Sequence, residues 1–350
     1  MLNILTIVGA RPQFIKAAAI SHVISENYAD RISEDILHTG QHYDDSMSAR
    51  FFRELDIPTP RYNLGVGSGT HGSQIAAMLA GIENVLLAES YDAVIVYGDT
   101  NSTLAGALAA AKTGVPVMHV EAGLRSFNRS MPEELNRVLT DHASTLLFAP
   151  TPMAVQNLEN EGFSDVQIVH SGDVMYDNVL HYREAARAHD PGGDEEILLT
   201  VHRNFNTDTV ERLAAILSGV EAAANDLGVR VLFPVHPRTR QHIESMTFSR
   251  IRIVEPLSYL ETLAVLQRVR LVMTDSGGLQ KEAFFSGKPC VVLRDETEWT
   301  EIVDCGAAML SGSDAVNIAD CARIMWSVKP ENNAVFGDGH AAQTIIESLF

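Results

Sequence analysis

The chain predicts an α/β protein built of two doubly wound domains whose strand ends face a central cleft. Three observations carry this. Short, continuously apolar segments alternate with helix-compatible stretches, as in a parallel sheet covered on both faces. The alternation stops at the Asp/Gly-rich break around Gly192-Gly193 and then restarts. Polar clusters follow the predicted strands, the position where such sheets bind ligands.

In the first half, Asn3–Val8 reads as a strand, Gly9-Ala10-Arg11-Pro12 as a turn, and Gln13 to about Glu26 as a helix. Ser33–Thr39 is a second strand, with a helix around Ser46–Leu55. Ser73–Glu89 is amphipathic and helical, Ala93–Tyr97 a strand, Ser102–Lys112 an Ala-rich helix, and Val115–Val120 another strand. In the second half, Ile197–Val201, Arg230–Val235, Ile251–Val254, Leu271–Thr274 and Pro289–Leu293 read as strands. Helices fall at Asp208–Asp226, Glu261–Gln267, Gly278–Ser286 and Ala315–Trp326. These readings give a first domain over residues 1–170, a second over 171–335, and a C-terminal helix over 336–350 crossing back to the first.

Composition narrows the function classes. A length of 350 residues suits two domains, and 46% apolar with 20% charged residues argues against disorder. A formal net charge of −19 disfavours nucleic acid or an anionic membrane surface as partner. Cys290, Cys305 and Cys321 have neither disulfide-framework nor zinc-site spacing. The opening Met1-Leu2-Asn3-Ile4-Leu5 lacks the layout of a signal peptide, and no apolar run reaches the roughly 18 residues of a membrane span. A soluble, cytoplasmic protein is expected.

The most informative segment is Leu271 to Glu282, where an apolar strand ends at Thr274-Asp275-Ser276 and two glycines open a helix. Glycine admits close backbone approach, and a helix N-terminus favours an anion such as phosphate. Glu282 lies about one turn on, placed to accept hydrogen bonds from ribose hydroxyls. Arg11 and Lys16 bring two cations to the first strand–helix junction. Asp99 and Glu121 end two further strands, although such an Asp is often only a helix cap. Pro132 suits a helix start, with Glu133 and Arg137 four residues apart on one face. Three acids at adjacent sheet ends invite acid/base chemistry, since crowded like charges raise one pKa. His202-Arg203 and His236-Pro237-Arg238 bring imidazoles and cations to second-domain strand ends, in keeping with a phosphate-rich ligand. Gly67 to Gly72 matches GxGxxG without a convincing preceding strand, and His38 with His42 lacks a matched third ligand, so neither a dinucleotide nor a metal is expected.

Taken in order, the motifs resemble those of the non-hydrolysing UDP-N-acetylglucosamine 2-epimerases. The chain carries Gly9-Ala10-Arg11-Pro12 with Ile15-Lys16, Gln41-His42, Gly98-Asp99-Thr100, His119 to Arg125, Pro132-Glu133-Glu134 with Asn136-Arg137, His202-Arg203, Pro234-Val235-His236, Thr274 to Ala283 and Gly287-Lys288-Pro289. The resemblance implies two Rossmann-like domains in a GT-B-like arrangement and a homodimer. It also implies a UDP-amino-sugar substrate epimerised at C2 by elimination and re-addition of UDP, with no cofactor. On the matching positions it implies acid/base roles for Asp99, Glu121 and Glu133, with His202 beside them. Arg11, Lys16 and Arg137 would face the sugar-phosphate region, and His236 would help hold the substrate. Ser276, Gly277 and Gly278 would bind the diphosphate, Glu282 the ribose, and the backbone near Leu257 the uracil. Two departures stand out: Trp299 occupies the place of an Arg that often follows Thr-Glu, and Gln41 to Asp44 with His202 to Phe205 differ from members activated by their own substrate. Both look more like the branch acting on UDP-2,3-diacetamido-2,3-dideoxyglucuronate. A hydrolysing epimerase, a GT-B glycosyltransferase and a catalytically silent UDP-sugar-binding protein are the remaining alternatives.

Overall fold

The computed structural model describes residues 1–41, 52–163, 167–235, 237–244, 246–331 and 334–350. Most of the helix expected around 46–55 lies outside this set, as do residues 42–44 of the Gln41–Asp44 segment. The chain divides into two compact units, one formed by Met1–Asn178 with Ala334–Phe350 and the other by Val179–Asn333.

The first unit runs β1 (Leu2–Val8), α1 (Arg11–Asn27), β2 (Ile32–His38), β3 (Tyr62–Asn63), α2 (His71–Ala88), β4 (Ala93–Tyr97), α3 (Asn101–Thr113) and β5 (Val117–Val120). It continues through α4 (Pro132–Ala143), β6 (Leu146–Ala149), α5 (Pro152–Asn160), β7 (Gln167–His170) and α6 (Val174–Ala186), inside which the unit boundary falls. Among the described residues its strands lie in the order β3-β2-β1-β4-β5-β6-β7, and every pairing is parallel. The order reverses between β1 and β4, the point where a crevice opens at the carboxyl ends. The Ala-rich α3 lies close on the sheet: a Cβ on Gly106 would come 2.9 Å from Ile7 Cδ1 and 3.0 Å from Val96 Cγ1. Thr100 caps α3 by accepting the Thr103 amide, and Gly114, at φ +77°, ends it in the left-handed region that glycine adopts without strain.

The second unit runs β8 (Ile197–Thr200), α7 (Asn204–Thr207), α8 (Val210–Leu227), β9 (Val231–Pro234), α9 (Pro237–Ile243), β10 (Ile251–Val254), α10 (Tyr259–Arg268) and β11 (Leu271–Thr274). It closes with α11 (Gly277–Phe285), β12 (Cys290–Val292), α12 (Thr300–Asp304), β13 (Ala308–Leu310) and α13 (Ala315–Met325). Among the described residues its parallel strands lie in the order β10-β9-β8-β11-β12-β13, so the reversal falls between β8 and β11. The core against α8 and α13 includes Leu199, Val231, Phe233, Leu271, Met273, Leu217 and Ile318.

Every strand read from the sequence is present. Four others, β3, β6, β7 and β13, were not anticipated; each has two to four residues. They pair at or near the sheet edges, where register comes from the neighbour.

The last helix, α14 (Ala341–Glu347), packs against α1 within the first unit. Arg31 lies 3.5 Å over the Phe350 ring, and Phe350 stacks on Tyr28 at 6.0 Å. Asp177 caps α14, its two carboxylate oxygens accepting the amides of Ala341 at 3.1 Å and Ala342 at 2.7 Å. Burial pushes the Asp177 carboxyl up to about 6, with the Ala342 and Ala341 amides acting the other way. An unfolded Asp titrates near 3.9, so the folded state holds this proton more tightly and stability from the group falls as pH rises through about 6. Asp177→Asn should therefore gain on the wild type by roughly 1–2 kcal/mol between pH 5 and 7.5 in urea unfolding. A pH-independent difference would show that the cap does not titrate there.

Candidate active site

At the switch point of the first unit, Gln13 ties the ends of β1 and β4 together. Its Oε1 accepts the amides of Gly9 (2.8 Å) and Ala10 (3.1 Å), and its Nε2 donates to Tyr97 O (3.1 Å) and Thr103 Oγ1 (3.0 Å). This orients the start of α1, where Arg11 is half-buried in the first turn and Lys16 buried in the second. Lys16 Nζ meets Glu121 Oε1 at 2.5 Å, with both side chains under a tenth exposed. The contact passes over Gly98, at φ +63°, where a Cβ would stand 3.0 Å from the ammonium. Glu121 itself has φ +73°, a strained value for a residue with a side chain.

On α4, Arg137 pairs with Asp99, and its Nη1 lies 2.7 Å from Glu134 Oε2. Burial works against the guanidinium's charge, but Asp99 and Glu134 outweigh it and hold the group above its ordinary range. Glu134 is held below the usual carboxylate range: burial pushes it up, and the Ser126 amide, Arg137 and the Ser126 hydroxyl pull it down further. Asn136 Nδ2 donates to the Asp99 carbonyl at 2.9 Å, which fixes the backbone beneath the Asp99 side chain. Glu133 is half-buried in the first turn of α4. Arg137 reaches Glu134, the residue after Glu133, and Asp99. Asp99 and Glu121 each face a cation, Arg137 and Lys16 respectively.

In the second unit the buried Asp275, which sequence reasoning left without a role, organises the strand ends. It accepts the amides of His202 (3.1 Å) and Arg203 (3.0 Å) and Nδ2 of Asn206 (3.1 Å). His202 Nδ1 lies 3.4 Å from the same carboxylate, with half of the imidazole exposed. Ser276 caps α11 by accepting the Leu279 amide, leaving Gly277 and Gly278 in the first turn, whose N–H groups have no intrahelical acceptor. A Cβ on Gly277 would fall 2.2 Å from Glu298 Oε1, so glycine is what lets this turn sit against the Arg294–Glu298 pair. Glu282 is buried on α11, and Leu257 is half-buried in the loop after β10. Trp299 is buried with Lys281 Nζ 4.1 Å from its ring centre, a cation–π contact. His236 lies outside the described residues.

The first unit thus brings Lys16, Asp99, Glu121 and Arg137 together, and the second gathers His202 with the Ser276–Gly278 turn. Carboxylates held beside cations suit proton transfer next to an anionic ligand, and a glycine-opened helix suits phosphate. Among the described residues, no cluster of His, Cys, Asp or Glu is arranged to hold a metal, and no helix is long and apolar enough to cross a membrane. Sequence reasoning missed Gln13, Glu134 and Asp275, although each stands within a motif that was noticed.

A profile of the family described as UDP-N-acetylglucosamine 2-epimerase matches residues 26–350. A Pseudomonas aeruginosa protein named UDP-2,3-diacetamido-2,3-dideoxy-D-glucuronate 2-epimerase is 49% identical, over 99% of both chains. A Methanocaldococcus jannaschii UDP-N-acetylglucosamine 2-epimerase is 41% identical over 98% of this chain and 97% of its own. The crystal structure of the Methanocaldococcus jannaschii UDP-GlcNAc 2-epimerase in complex with UDP-GlcNAc and UDP superposes with a TM-score of 0.90, at 40% identity and 99% coverage of each chain. The fold is α/β and GT-B-like.

Replacing Lys16 by Met leaves the Glu121 carboxylate buried opposite an apolar chain. Urea unfolding of Lys16→Met should show a loss of about 3–5 kcal/mol, most of it recovered in Lys16→Met/Glu121→Gln. A double variant that loses the sum of the Lys16→Met and Glu121→Gln losses would mean that the two charges are not coupled.

Proposed function

Since the chain belongs to the UDP-N-acetylglucosamine 2-epimerase family, we propose that it interconverts UDP-GlcNAc-type and UDP-ManNAc-type sugars without net hydrolysis. The observation that carries the reading is the pairing of Glu121 with Lys16 and of Asp99 with Arg137 at one sheet's switch point. A base takes the C2 proton while the C1–O bond to UDP breaks, and the electron pair forms the C1=C2 bond of a glycal. UDP then re-adds at C1, and a proton arrives at the opposite face of C2. C2 is inverted without a ketone, so the scheme calls for no redox cofactor.

In this scheme Asp99, Glu121 and Glu133 handle the protons with His202. Arg11, Lys16 and Arg137 meet the sugar-phosphate region, and His236 helps hold the substrate. Ser276, Gly277 and Gly278 take the diphosphate, Glu282 the ribose, and the backbone at Leu257 the uracil. Departure of the diphosphate places negative charge where donors must already be aimed, which is the role given to the first turn of α11. The enzyme is proposed to be a cytoplasmic homodimer.

A second reading concerns the sugar. The 49% identity to the diacetamido-glucuronate 2-epimerase favours a UDP-2,3-diacetamido-2,3-dideoxyglucuronate substrate, as does Trp299 in the place of an Arg. Proton NMR on both substrates decides between the two. In D2O the product should carry deuterium at C2, and an unlabelled product would exclude elimination. Free UDP accumulating with turnover would mark a hydrolase, and transfer to an acceptor a glycosyltransferase. Asp99→Asn and Glu121→Gln should each lower kcat by about 10²–10⁴-fold with UDP binding retained in calorimetry. Wild-type turnover in either variant would remove that residue from the mechanism.

A further inference from the structure

Behind the acids of the first unit lies a buried chain of charges that no step above uses. His119 on β5 is fully buried; its Nε2 lies 2.8 Å from Gly98 O and its Nδ1 2.6 Å from Asp141 Oδ1. One ring nitrogen thus faces a backbone carbonyl and the other a carboxylate. Asp141 on α4, also fully buried, places its other oxygen 2.7 Å from Arg125 Nη1 and accepts the Gly123 amide at 3.2 Å. Arg125 forms a two-pronged contact with Glu161, Nε–Oε1 at 2.7 Å and Nη2–Oε2 at 2.8 Å, and donates to Leu124 O at 2.7 Å.

We propose that His119, Asp141 and Arg125 are positioning residues for both candidate acids, holding Asp99 through the Gly98 carbonyl and Glu121 through the Gly123 amide. The proposal rests on the reading of Asp99 and Glu121 as proton-handling groups. Two observations beyond the bonds support it. First, the chain contacts backbone next to the acids: Gly98 directly precedes Asp99, and Gly123 follows Glu121 by two residues. Second, the backbone there is in a conformation that needs holding. Gly98, Glu121 and Gly123 have φ of +63°, +73° and +79°. A residue with a side chain keeps such a φ only where its surroundings over-determine it. For Glu121 those surroundings are three amide bonds: its own N–H and that of Ala122 to Phe148 O, and that of Gly123 to Asp141. A buried ion chain is a poor route to stability, since apolar residues of like size usually do as well. What apolar residues cannot do is grip a carbonyl and an amide on neighbouring strand ends at once.

The test separates the two grips in the full chain. His119→Asn keeps a donor near the Nδ1 position, towards Asp141, and gives up the Gly98 carbonyl; His119→Gln keeps a donor near Nε2 and gives up Asp141. Amide hydrogen exchange should rise in peptides over residues 97–101 for His119→Asn and over 120–126 for Asp141→Asn, with residues 271–285 unchanged in both. Turnover of the UDP-amino sugar should fall about 10–10²-fold in kcat for His119→Asn with KM within twofold, and less for His119→Gln. Wild-type exchange in both segments would overturn the proposal. So would equal kcat losses in Asn and Gln variants that merely track a lower unfolding temperature. If the wild type turns over no UDP-amino sugar, the proposed function fails, and the exchange pattern alone still decides whether the chain holds these loops.

Discussion

A carboxylate withdrawn from water must be met by a cation or by several N–H donors, and this requirement shapes the strand ends of each unit. Glu121 is met by Lys16, Asp99 and Glu134 by Arg137, and Asp141 by His119 and Arg125. In the second unit Asp275 is met by backbone and amide N–H groups, and Glu298 by Arg294. The chain has 26 Lys and Arg against 45 Asp and Glu, so such pairing is selective. Burial makes each pair matter, because screening by solvent leaves exposed pairs worth little.

The two sheets solve the problem of a ligand-ready edge in the same way. Each reverses its strand order once, and at each reversal one buried polar side chain ties the neighbouring strand ends. Gln13 does this by accepting from Gly9 and Ala10 while donating to Tyr97. Asp275 does it by gathering the His202 and Arg203 amides after β8. Loops held in this way present their groups without reorganising when a ligand arrives, the condition under which electrostatic stabilisation is most effective. Glycine supplies the remaining freedom, at Gly98 beside the Lys16 ammonium and at Gly277 beside Glu298.

The elements were largely legible in the sequence because their signals are local. A continuous apolar run followed by Gly, Asp or Pro marks a strand end whatever lies elsewhere in the chain, as at Val8-Gly9 and Tyr97-Gly98. The same locality explains the misses. β6 and β7 lie towards one edge of the sheet, and they form because Met118 and Leu146 have neighbours to pair with. The motifs around Asp99, Glu121 and Ser276 could be noticed, but their partners could not be ranked. Glu133 and Glu134 are adjacent and equally acidic, and only the orientation of α4 selects Glu134 for Arg137.

By itself the sequence determined two α/β units, the strand ends where chemistry gathers, and the residue types available there. Tertiary structure decided which charges meet. Lys16 and Glu121 are 105 residues apart, and His119 and Asp141 are 22 apart. Periodicity describes a helix or strand against its own axis. It is blind to the strand order that sets α1 beside β4 and Lys16 beside the residue that follows β5, and so to the electrostatic neighbours that order creates.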